Sequence, residues 1–189
     1  MIDVRTHYGD LLPSGGTEVA PLPLRPFPEL YHDAALTAPT RWLVRDLIPT
    51  GRLVLVYAAP KTGKTTYCLH LAVAVASGRP FCGEATDAAP VLVLECEMAE
   101  QDTRRWLVSA GATPDTVGER LVTYTGPAPT FAQVLEAVER TGAQVLIIDS
   151  LTKYAGWEDE NNAAEVERVL GMVDGALRTL TGPRDTVVM

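Results

Sequence analysis

Four short runs, RLVLVYA (52–58), VLVLE (91–95), LVTYT (121–125) and QVLIID (144–149), place β-forming residues at successive rather than alternate positions. A strand with apolar side chains on both faces must be covered on both, as happens in parallel sheets flanked by helices. The stretches between the runs have helical spacing. One helix is predicted from about Gly63 to Ser77, stopping at Gly78, a residue suited to the left-handed position after a helix. AEQDTRRWLVSAG reads as a second helix, ending near Gly111. TFAQVLEAVERTG reads as a third, opened by Thr130 and Gln133 at capping-box spacing and closed by Gly142. NAAEVERVLGMVDGALRTL supplies a fourth, with an apolar stripe at Val166, Val169, Leu170, Val173 and Leu177, and TVVM opens a fifth strand. This alternation predicts an α/β fold, a three-layer sandwich around a mainly parallel central sheet.

Residues 1–40 do not share the pattern. LPSGGTEVAPLPLRPFPEL is dense in proline, which removes donors and fixes φ, so neither helix nor sheet is expected to run through it. The expected organisation is an irregular arm or linker over 1–40 and a folded core over 41–189. A chain of 189 residues, 47% hydrophobic, suffices for one such core. Its net charge of −8 lacks the basic footprint of autonomous nucleic-acid binding, though a local basic groove completed by neighbouring subunits stays open. MIDVRTHYGD has no charged segment leading into an apolar one, and no apolar run reaches membrane-spanning length. Cys68, Cys82 and Cys96 lie far apart without a CxxC partner, which argues against a zinc site. A cytoplasmic protein without membrane contact is expected.

Between the first run and the first helix lies AAPKTGKTT (58–66). The pattern G-x-x-x-x-G-K-[ST] binds phosphates because its main-chain N–H groups curl around oxygen atoms and the following helix adds its positive end. Here Gly63, Lys64 and Thr65 fill the last three positions, and Ala58 stands where the first glycine is usual. A methyl group fits there if φ stays negative. Ala59, Pro60, Lys61, Thr62, Gly63, Lys64, Thr65 and Thr66 are the expected nucleotide-binding residues. Lys64 would reach the terminal phosphates, and the Thr65 hydroxyl would hold Mg²⁺.

QVLIID ends on Asp149, a carboxylate at the carboxyl end of an oily strand, where ligands bind in open α/β sheets. It is expected to organise the Mg²⁺ site and to orient Thr65. VLVLECE carries Glu95 and Glu97, which alternation along a strand would put on one side. One of them is expected to prepare water for hydrolysis, with Glu95 the better candidate for a solvated edge charge.

The order AAPKTGKTT, VLVLECE, QVLIIDSLTKY and then DEN before a helix resembles the RecA-like P-loop ATPases. Within them it is most similar to the RepA-like replicative helicase branch, whose members often carry a PKxGKS/T loop. The resemblance covers about residues 41–189. It implies ATP and Mg²⁺ as ligands, Lys64 and Thr65 in the phosphate loop, Asp149 at the metal and Glu97 as the catalytic glutamate. It also implies a homo-oligomer, typically a hexamer, acting on single-stranded DNA as a helicase or replication-initiation ATPase. In this family the strand opened by TVVM lies between the phosphate-loop strand and the Asp149 strand and continues to a polar sensor residue, so the core is expected to be incomplete at its C-terminal end.

Other signals are weaker. Lys153, Tyr154 and Trp157 interleave a cation with aromatics in a loop that could stack on bases, or simply pack on the sheet rim. Arg104 and Arg105 could reach a neighbouring subunit's nucleotide, but Glu100 and Arg104 are spaced i,i+4 for a surface ion pair, which is the favoured account. His70 is expected to pack within the first helix. Two rival functions use the same loop: a small-molecule kinase, which should carry an arginine-rich lid that is not evident here, and a nucleotide-dependent switch or assembly module with little turnover.

Overall fold

The structure, a computed structural model, describes residues 22–37, 39–155, 167, 170, 171, 173 and 186–188. The chain divides into two units, Met1–Pro39 and Thr40–Met189.

In the first unit, α1 (Phe27–His32) interrupts the expected irregular arm. Proline is tolerated in a first helical turn, whose N–H groups have no intrahelical partner, and Pro26 and Pro28 sit at the N-cap and within that turn. The helix stops at Asp33, whose carboxylate pairs with Arg25 at 2.8 Å.

The second unit opens with a small antiparallel pair that the sequence reading did not anticipate, β1 (Trp42–Val44) and β2 (Ile48–Pro49). The connecting turn places Asp46 at φ 56°. Then follow β3 (Leu53–Val54), α2 (Lys64–Ser77), β4 (Val91–Glu95), α3 (Glu100–Ser109), α4 (Pro114–Val117), β5 (Leu121–Thr125), α5 (Phe131–Thr141), β6 (Val145–Asp149), α6 (Leu151–Ala155) and β7 (Thr186–Val188). The five longer-range strands form one parallel sheet in the order β3-β7-β6-β4-β5. β7 thus lies between the phosphate-loop strand and the Asp149 strand.

Alternation in the two central strands builds the layers. Val91 and Val93 of β4, with Val145 and Ile147 of β6, point into a core shared with α2, Leu107 of α3 and Val117 of α4. Leu92, Leu94, Leu146 and Ile148 point the other way, onto Val134 and Val138 of α5, Leu151 and Val173. The three-layer sandwich follows from these two faces. α2 is apolar nearly all round, with Cys68, Leu69 and Leu71–Ala76 buried, as a helix enclosed on several sides must be. It ends at Gly78, φ 70°, as read from the sequence. The capping box at Thr130 and Gln133 is present in both directions, and Gly142 closes α5.

Two expectations about the strands are corrected. Of RLVLVYA, only Leu53 and Val54 pair, opposite Val187 and Val188, while Leu55 and Tyr57 are exposed. The described part of β7 ends in register with Val54, so Leu55–Ala58 meet no neighbouring strand among the described residues. β5 is only partly buried because it pairs on one side, with β4. Of the fourth predicted helix, residues 167, 170, 171 and 173 are helical, with Val173 buried; Val166, Val169 and Leu177 lie outside the described residues. Among the described residues, no helix is long and apolar enough to cross a membrane.

Candidate functional site

The loop from Ala58 to Gly63 leads directly into α2. Ala58 keeps a negative φ, as the methyl group requires, whereas Lys61 (φ 65°) and Gly63 (φ 96°) adopt left-handed conformations. A Cβ built on Gly63 would meet nothing within 4 Å, so this position opens onto free space at the helix start. The loop closes on two carbonyl groups. Lys64 Nζ donates to Ala58 O at 2.7 Å and to Ala59 O at 3.4 Å, and Thr62 Oγ1 donates to Ala59 O at 2.7 Å. The first bond of α2 runs from Tyr67 N to Gly63 O, 2.9 Å, and the N–H groups that start a helix have no carbonyl of their own to bind. Ala59, Pro60, Lys61, Thr62 and Gly63 are exposed, while Lys64, Thr65 and Thr66 are half-buried.

Asp149 ends β6 at 7% exposure. The Thr65 hydroxyl, Lys64 and Glu97 all lie near enough to its carboxylate to act on its charge. Burial is the largest influence and pushes the Asp149 carboxyl above the ordinary aspartate range; Thr65 and Lys64 pull it back, and Glu97 adds to the rise. Among the described residues, Asp149 Oδ2 has no hydrogen-bond partner. A buried carboxylate oxygen left this way, beside a threonine hydroxyl, suits a hard cation such as Mg²⁺. The residues present therefore fit the implied metal.

The two glutamates differ from expectation. Glu95 is no solvated edge charge: it is 1% exposed, the register neighbour of Asp149. Its Oε1 accepts the amides of Glu97 (2.7 Å) and Met98 (2.9 Å), because the strand has ended and those groups need an acceptor. Glu97 lies past the strand in a bend, so strict alternation does not place it. Its exposed carboxylate accepts the Ser150 hydroxyl at 2.5 Å. Ser150 was missed as a site residue, and the burial of Glu95 was misjudged; a charge closing a run as oily as VLVLE was the available signal for the latter.

Lys64, Thr65, Asp149 and Glu97 are thus brought together from α2, β6 and the bend after β4. The other candidates are not. Lys153 and Tyr154 lie on α6 rather than in a loop, with Lys153 exposed and Tyr154 packed against the Leu92–Ile148 core; Trp157 lies outside the described residues. The ion pair on α3 joins Arg105 to Asp102 at 3.0 Å instead of Arg104 to Glu100, since the i,i+3 partner is also within reach. His70 is exposed, on the part of α2 that faces away from the core, so the expectation of a packed side chain is corrected.

Residues 20–184 match a family model described as AAA domain. The chain belongs to this AAA domain family. Protein RecA of Acidothermus cellulolyticus is 30% identical over 181 residues, covering 92% of this chain and 46% of the relative. The AAA domain described here spans about half the length of that relative. A crystal structure of a KaiC-like protein from the hyperthermophilic archaeon Pyrococcus horikoshii superposes with a TM-score of 0.57 at 21% identity, covering 79% of this chain and 71% of that one. The fold is that of a RecA-like P-loop ATPase domain.

Proposed function

We propose that this AAA domain binds ATP and hydrolyses it with Mg²⁺. The observation that carries the reading is the convergence of the Lys64 ammonium, the Thr65 hydroxyl and the Asp149 and Glu97 carboxylates at the loop where α2 begins. Main-chain groups of residues 59–65 and Lys64 hold the phosphates, with the Lys64 ammonium exchanging the Ala58 and Ala59 carbonyls for phosphate oxygens. Thr65 and Asp149 would hold Mg²⁺, which when bound offsets the charge of the phosphate oxygens. Glu97, outside the buried sheet and held by Ser150, orients the attacking water and takes up its proton. Catalysis on this plan is mostly positioning and charge stabilisation.

The finer reading is a homo-oligomer, a hexamer, that works on single-stranded DNA as a RepA-like helicase or replication-initiation ATPase. It is supported by the PKTGKT loop and by the family membership. The irregular arm over 1–40 and the core over 41–189 are the proposed functional division. ATP affinity by calorimetry and steady-state phosphate release, each measured with and without single-stranded DNA, test the whole proposal. Binding with turnover that rises on DNA is expected. Binding without turnover would instead favour the switch module, and turnover indifferent to DNA would remove the helicase reading.

A further inference from the structure

The last bond joining the ends of β4 and β6 runs from Cys96 N to Asp149 O, 2.8 Å. The next two amides, of Glu97 and Met98, lie beyond the sheet, and Glu95 Oε1 accepts both. A neutral acceptor would close the strand equally well. Glu95 instead brings a carboxylate to 1% exposure with Asp149 in register beside it, an arrangement that mutual repulsion and burial both oppose. Its hydrogen bonds point in one direction, to the bend that bears Glu97.

We propose that Glu95 is a positioning residue for Glu97: by holding the Glu97 and Met98 amides it sets the bend from which the Glu97 carboxylate meets Ser150. This rests on the assignment of Glu97 under the proposed function. Glu97 is exposed and outside the ladder, so packing alone does not restrain it. It is held at two points, its backbone by Glu95 of β4 and its carboxylate by Ser150, which follows β6. Anchors on neighbouring strands fix both position and direction, and positioning is where this chemistry gets its rate.

Steady-state hydrolysis by Glu95→Leu and Glu95→Gln tests the assignment. Leucine removes the acceptor, and kcat is expected to fall about 100-fold, the effect of a misplacement of ~1 Å, with KM for ATP changed less than about threefold. Glutamine keeps an amide oxygen for both N–H groups and is expected to recover at least about tenfold of that loss. Equal kcat in the two variants, or a loss carried by KM, would overturn the assignment. Amide hydrogen exchange at Glu97 and Met98 reads the same bonds without turnover: faster exchange in the leucine variant than in the glutamine variant is expected, and equal protection counts against it. Should Glu95→Leu fail to fold, Ser150→Ala against Ser150→Thr reads the clamp from the β6 side, with turnover expected to be higher in the threonine variant; equal turnover there also overturns it. A wild-type chain that does not hydrolyse ATP overturns the proposed function and this assignment together. Wild-type turnover left intact by Glu95→Leu overturns the Glu95 assignment alone.

Discussion

The carboxylates and the phosphate loop hang from very different strands. β4 and β6 are buried at all five positions and pair along their full length, Val91 with Val145 through Glu95 with Asp149. β3, which leads to the loop, pairs over two residues that are only half-buried. Yet the loop is firmly seated, because α2 behind it is buried along most of its length and begins at Lys64. The acidic groups are therefore located by the sheet, and the basic group by the helix. A site assembled in this way should separate into functions lost independently.

The largest expected effect is on chemistry. Glu97→Gln keeps the shape of the side chain but removes its basicity, and turnover should fall about 10²–10⁴-fold while calorimetry gives an ATP affinity close to wild type. Normal hydrolysis by that variant would move the role elsewhere, to Glu95 first. Lys64→Ala should do the converse on the helix side, weakening ATP binding by roughly 100-fold or more through loss of a charge-assisted contact. Unchanged affinity would remove the loop from the site.

The contrast in anchoring is expected to appear as stability. Ile147→Ala, at a fully buried position of β6, should cost about 2–5 kcal/mol in chemical denaturation. Val54→Ala, half-buried in β3, should cost below about 1 kcal/mol. Equal costs would mean that β3 is as deeply built into the fold as β6.

The smallest effect concerns pH. Burial pushes the Glu95 carboxyl above the ordinary glutamate range, while the Met98 and Glu97 amides pull against that rise and the Asp149 and Glu97 charges reinforce it. The folded chain then holds the Glu95 proton more tightly than the unfolded chain does. This contribution to stability is full below the unfolded value and is lost as pH rises through the folded one. Glu95→Gln has no proton to lose, so its stability relative to wild type should improve as pH rises across that window. A constant difference in denaturation midpoint between the two would contradict the direction.

Much of this was legible along the chain. Local signals with a direct mechanical meaning held: Gly78 and Gly142 end α2 and α5, and Thr130 with Gln133 caps α5, because each acts within a few residues. The runs 91–95 and 145–149 are strands because nothing but burial on two faces suits them. The misreadings came where a partner distant in sequence decides. The length of β3 depends on β7, more than 130 positions away, and the exposure of His70 depends on which side of α2 meets the sheet.

The amino-acid order alone determined the layered α/β architecture and the phosphate loop, since periodicity and a contiguous eight-residue motif are local properties. Only the tertiary structure decided which glutamate is buried and which faces water, and that Ser150 and Glu95 grip the bend between them. The physical reason is that a side chain's surroundings are made by whatever crosses the sheet beside it. β6 and the residue after it bring Asp149 and Ser150 to the end of β4 across about fifty residues of intervening chain, a distance over which hydrophobic spacing carries no information.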